Sequence, residues 1–173
     1  MKLAEYASYD GLGLAALIQR GETNPRELGR CVLDGIAAVN PRLNAVIETY
    51  ADAIEALPEK PGPGPYSGLP ILTKDFPLEA GRPGEFGSVF AKGFRSPYDH
   101  AFWVKLRAGG LNNIGRTTTS EFGLAAATES SLYGPTRNPW DPVRGVAGSS
   151  GGSAASVGAG IVPVAQGADG GGY

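Results

Sequence analysis

Apolar positions recur at helical spacing through the first third of the chain. Leu14, Leu17 and Ile18 share one face of a segment that Asp10 can cap and that ends near Gly21. Asn24 and Pro25 then read as the N-cap and first position of a second helix. Its stripe is Leu28, Val32, Ile36 and Val39, with Cys31 beside it, and it is expected to stop at Asn40-Pro41. The pattern shortens at Ala45-Val46-Ile47, a strand candidate, and residues 52–57 predict a further helical turn or two. Residues 58–65 hold Pro58, Pro61, Pro63 and Pro65, which remove donors and fix φ, so this is a surface linker.

Beyond the linker, residues 69–73 read as a strand delivering Lys74 and Asp75. Residues 81–96 form a glycine-rich loop of unassigned shape. Asp99 is the expected cap of a helix from His100 through Ala108, closed by Gly109-Gly110. Residues 111–114 are the next strand candidate, and the polar turn after them, residues 115–122, is a pocket wall if it ends a strand of an open α/β sheet. Residues 124–147 are loop-rich, a setting that commonly lines sites. A last strand is expected at residues 162–165. The fold class is therefore α/β, divided into a helical lead-in (1–57), a Pro/Gly linker (58–67) and a core (68–173).

Composition narrows the function. Fifteen basic and seventeen acidic residues leave a net charge of −2, which argues against a nucleic-acid or polybasic membrane surface. Cys31 is the sole cysteine and fits core packing in a reducing, cytoplasmic compartment. With one cysteine and one histidine, a structural zinc site or a histidine-based triad is excluded. His100 reads as an exposed first-turn residue. The most apolar stretch, 154–168, is broken by Gly158, Gly160, Pro163 and Gly167 and is no membrane span.

The 27 glycines cluster in loops, most densely at residues 148–152 and 167–172. Bare backbone there can approach a ligand or an oxyanion. Three readings follow. A phosphate cradle fails because neither nucleotide-binding glycine pattern is present. Tight packing alone is the second. The third is a serine hydrolase without histidine, in which Lys74 serves as base if burial at a strand end lowers its pKa, although spacing alone favours a solvated strand-end lysine. Free lysine titrates at ~10.4, so a neutral-pH base needs a drop of about 3 units, or ~4 kcal/mol.

Four motifs in order carry a family resemblance: GLPILTKD (68–75), GRTTTSEF (115–122), GPTRNPWD (134–141) and GSSGGSAA (148–155). With LIQRG (17–21) and NPRLNA (40–45), the chain resembles the N-terminal portion of the amidase signature family, the Ser–cisSer–Lys amide hydrolases. The resemblance implies an α/β fold with a mixed sheet surrounded by helices, and hydrolysis of a small-molecule carboxamide through an acyl-serine intermediate with no metal or cofactor. Lys74 matches the lysine base and Ser149 the bridging serine of the cis peptide. Backbone N–H groups of Gly170, Gly171 and Gly172 match the oxyanion hole, with Ser150 and Asp169 in support. The nucleophile position is occupied by Tyr173, the last residue, so the chain is expected to be a truncated, N-terminal fragment that is inactive alone. Arg116, where the family often has lysine, is expected to be of no consequence. Two alternatives stand beside an amidase: a glutaminase component of a tRNA-dependent amidotransferase, and a non-catalytic binding subunit. Exposed sheet edges imply homo-oligomers or other association.

Overall fold

The computed structural model describes residues 1–170. The lead-in comprises α1 (Leu3–Tyr6), α2 (Gly11–Gln19) and α3 (Pro25–Leu43). Both local caps form: Asp10 accepts from Gly13 N, and Asn24 accepts from Glu27 N ahead of Pro25. α1 is a single turn that the periodicity did not predict, anchored by the buried Tyr6, whose hydroxyl donates to Ile161 O. α3 does not stop at Asn40-Pro41 but runs to Leu43. In a last turn the proline forgoes only one internal bond, and Asn44, in the left-handed region at φ 51°, closes the helix. Asn40 Oδ1 then accepts from both Ala45 N and Val46 N, turning the chain into the sheet.

That sheet has the order β1–β3–β2, from Val46–Thr49, Asn112–Thr117 and Pro70–Lys74. β1 runs antiparallel to β3 and β2 parallel to it, so the sheet is mixed. β2 is buried along its whole length. Leu72 joins the main core with Leu28, Ile114 and Ile161, while Ile71 packs with Trp103 and Leu106 of α5 (Ala101–Ala108). Alternation of side chains along β2 thus places helices on both faces. α4 (Ala51–Glu55) follows β1. Gly115 in β3 is required, since a Cβ there would lie 2.3 Å from Glu48 O.

Two further expectations are corrected, and one unassigned loop is given its shape. The cap of α5 is His100, whose Nδ1 accepts from Phe102 N; Asp99 instead accepts from Ala80 N and pairs with Arg107, so tertiary partners outcompeted the local cap. Residues 162–165 form no strand: only a parallel bridge from Ala165 to Leu72 occurs, because Pro163 has no N–H for a ladder. The loop at 81–96 has a shape, with bridges Ala80 to Ser96 and Pro83 to Arg95 around a 3-10 turn at Val89–Ala91.

The linker is irregular but held, by Tyr66 N to Gly109 O and Gly68 N to Gly110 O. Within residues 124–147, β4 (Glu129–Ser130) pairs with β5 (Gly134–Pro135), and isolated bridges join Ala127 to Ala147 and Arg137 to Gly145, before α6 (Gly151–Gly158). Among the described residues, no helix is long and apolar enough to cross a membrane.

Candidate active site

The parallel pairing of β2 with β3 brings two strand ends together, with Lys74 opposite Thr117. α6 starts beside them, and its leading loop crosses the strand ends. That crossing is close. A Cβ on Gly152 would lie 2.3 Å from Thr118 Oγ1 and 2.6 Å from Ala45 O, and one on Gly151 2.2 Å from Thr128 Oγ1. The Gly148–Ser149 peptide is cis. Ser149 O accepts from Thr119 Oγ1 and Ser120 N, both at 3.1 Å, so the end of β3 fixes the serine's backbone.

Lys74 Nζ lies 2.6 Å from Ser149 Oγ. Lys74 is 2 % exposed, and Gln166 Oε1 holds its backbone N–H at 3.1 Å. Among the described residues its amine pairs with no carboxylate, and burial pushes its pKa below the ordinary lysine value. A buried amine set on a hydroxyl in this way is placed to exchange a proton with it.

The Ser150 hydroxyl is hydrogen-bonded elsewhere. It accepts from Ala168 N and donates to Ala168 O, pinning residues 167–169 against the start of α6. Ser153, which the sequence did not single out, bonds Thr117 Oγ1 at 2.8 Å and Gln166 O at 2.7 Å, tying α6 to β3 and to the same loop. A cavity of about 350 Å³ opens here, lined by Ala147, Ser149, Ser150, Gly167, Ala168 and Asp169 among others. Gly170 is exposed, and a Cβ there would meet nothing within 4 Å among the described residues. Gly171, Gly172 and Tyr173 lie outside the described residues. His100, at the start of α5, is an exposed cap.

Arg116 proves far from inconsequential. Its guanidinium is buried and reaches Asp75 at 2.6 Å, Glu48 at 3.1 Å and Glu85 at 3.1 Å. Burial works against its charge, but Asp75, by charge and by hydrogen bond, together with Tyr133 and Glu85, more than offsets this and holds the group above its usual range. Burial pushes the Asp75 carboxyl up, against the opposing pull of Arg116 and of two backbone N–H groups. Those N–H groups belong to Glu85 and Gly87, both 3.0 Å away, so Asp75 clamps the turn around Phe86. Tyr133 hydroxyl donates to Glu85, and burial together with that bond raises the phenol's pKa. Only the adjacency of Asp75 to Lys74 signalled this cluster in the sequence. The carboxylates that meet Arg116 lie 31, 41 and 68 positions from it along the chain.

Two of the ordered motifs meet at the Lys74–Ser149 contact, a third holds Ser149 O through Thr119 and Ser120, and a family model described as Amidase matches residues 27–172. The chain belongs to the amidase family. The A subunit of glutamyl-tRNA(Gln) amidotransferase from Acidothermus cellulolyticus is 41% identical over 167 residues, covering 92% of this chain and 33% of the relative. A 6-aminohexanoate cyclic dimer hydrolase structure superposes with TM-score 0.87 at 36% identity, over 93% of this chain and 34% of the other. Native peptide amidase from Stenotrophomonas maltophilia superposes with TM-score 0.83 at 34% identity, over 92% and 36%. This amidase-family chain therefore spans about a third of the length of the relatives it matches.

Proposed function

We propose that this chain carries the proton-relay part of a carboxamide hydrolase, with Lys74 as base and Ser149 as the hydroxyl between base and nucleophile. The observation that carries this reading is the 2.6 Å contact between a buried lysine amine and Ser149 Oγ. In the reaction, an attacking hydroxyl bonds the amide carbon and passes its proton to Ser149 Oγ, while the Ser149 proton moves to neutral Lys74. Collapse of the tetrahedral intermediate breaks the C–N bond, and the departing amine takes the proton back along the same path. Water then cleaves the acyl ester by the reverse relay. Backbone N–H groups of Gly170, Gly171 and Gly172 are the proposed oxyanion donors, and Asp169 orients their loop. The substrate is a small-molecule amide, and a cytoplasmic location accompanies this reading.

Tyr173 stands where the resemblance puts the acyl-accepting serine. A phenol oxygen sits a ring's length further from the backbone, so it cannot enter a relay built for serine. The 173-residue chain is accordingly expected to hydrolyse no aryl or aliphatic amide above the level of Lys74→Ala. The relay itself is tested by NMR titration of the Lys74 side chain in selectively labelled protein. A titration well below that of surface lysines supports it, and an ordinary lysine titration overturns it.

The identity to amidotransferase A subunits favours a second reading, a glutaminase component working with partner subunits. Ammonia release from glutamine only when such partners are added would select it.

A further inference from the structure

Four phenylalanines, at positions 76, 86, 94 and 122, are linked by ring contacts beside Lys74. Phe76 meets Phe86 edge-on at 5.7 Å, and Phe86 stacks on Phe122 at 5.8 Å and on Phe94 at 6.4 Å. Lys74 Nζ lies 5.5 Å from the centre of the Phe76 ring. Such a cluster would ordinarily bury itself, yet Phe76 and Phe122 remain 42% and 39% exposed.

The cluster is held open by construction. Phe86 and Phe122 both occupy the left-handed region, at φ 52° and 50°, where bulky residues are rare and cost energy. Their backbones are tied by Phe122 N to Phe86 O at 2.8 Å. On either side of Phe86, the N–H groups of Glu85 and Gly87 are held by Asp75, which Arg116 anchors in turn. Gly87 itself, at φ 64°, passes so close to Thr119 O that a Cβ would lie 2.8 Å away. The residue after Lys74 thus fixes the ring that packs against the residue after Asp75.

Gly123 leaves the wall in communication with the relay. A methyl there would lie 3.6 Å from the Phe76 ring, 3.8 Å from Ser149 Oγ and 3.9 Å from Lys74 Nζ. With hydrogen in its place, an apolar group lying on the rings reaches the neighbourhood of both polar atoms. The nearby carboxylates are engaged elsewhere, Glu85 with Arg116 and Tyr133, and Glu121 with Ser88. The surface therefore offers aromatic faces and ring edges, which suit a neutral aromatic group better than the zwitterionic end of an amino acid.

We propose that Phe76, Phe86 and Phe122 form the binding surface for the apolar group of a neutral aryl or arylalkyl carboxamide, beside the Lys74–Ser149 pair. The proposal rests on reading that pair as an amidase relay, and it names the substrate class. Asp75 and Arg116 are positioning residues for the surface.

The test is titration of the purified 173-residue protein with 2-phenylacetamide, acetamide and L-glutamine, followed by two-dimensional NMR. Phenylacetamide is expected to bind about tenfold or more tighter than either of the others and to shift the ring signals of the cluster. Phe76→Ala, at an exposed position with ordinary backbone, is expected to lose about that tenfold while acetamide is unaffected. Phe122→Leu, which keeps an apolar side chain, gives a smaller loss in the same direction and stands in if Phe76→Ala fails to fold. Glutamine binding as tightly as phenylacetamide, no binding of phenylacetamide up to its solubility, or unchanged affinity in both variants overturns the proposal. Lys74→Met is expected to retain the aryl preference. An ordinary lysine titration with aryl selectivity intact would remove the relay and leave the surface; a depressed titration without selectivity would do the reverse.

Discussion

Arg116 Nη1 and Asp75 Oδ1 lie 2.6 Å apart, both side chains almost wholly withdrawn from water, one residue from Thr117 and one from Lys74. This pair sets the geometry of everything at the ends of β2 and β3. Removing one member leaves a buried charge alone, which costs about 3–5 kcal/mol. Arg116→Ala and Asp75→Ala are each expected to lower stability by that order in urea denaturation. The double variant is expected to be less destabilised than the sum of the two, because the orphaned charge is then gone.

Lys74 makes stability depend on alkaline pH. Burial holds its folded pKa below the ordinary value of 10.5, so between those two values the unfolded chain binds more protons. Stability therefore rises as pH increases through that window, and the penalty of burying the amine is full below it. Urea midpoints of the wild type are expected to climb as pH rises toward about 10, relative to Lys74→Met, which has no proton to lose. A parallel decline of both proteins would contradict the sign.

The crossing of α6 over the strand ends tolerates no side chain at Gly152. Gly152→Ala would place a Cβ 2.3 Å from Thr118 Oγ1 and 2.5 Å from Thr118 N. Backbone atoms cannot yield there, so the cost is expected at the upper end of overpacking, about 3 kcal/mol or more. Gly170→Ala meets no neighbour among the described residues and is expected within about 0.5 kcal/mol of wild type. Thermal melting compares the two directly.

Apolar side chains gather on the excursion between β2 and α5. Phe90 is 93% exposed and sits beside Val89 and Phe94, which are also exposed. Patches of this kind promote association. Sedimentation is expected to show concentration-dependent self-association, reduced by Phe90→Glu, a position whose side chain is almost entirely in solvent.

The features legible in the chain alone are local ones. The caps at Asp10 and Asn24 and the arrival of Lys74 at a strand end depend on neighbours within a few residues, and periodicity or capping chemistry reports such neighbours directly. The ordered motifs likewise identified the family, since each is a contiguous string. Folding settled whatever depends on a distant partner. Asp99 lost the cap of α5 to His100 because Ala80 and Arg107 claimed its carboxylate. Residues 162–165 read as apolar enough for a strand, but Pro163 left a single bridge to β2. Arg116 looked interchangeable until the parallel register brought it beside Asp75, with Glu48 and Glu85 delivered by β1 and a loop. Long-range ion pairs and ring contacts leave no periodic trace along a chain. They exist only once β2 and β3 lie side by side, and that pairing is what turns a strand-end lysine into one buried against Ser149.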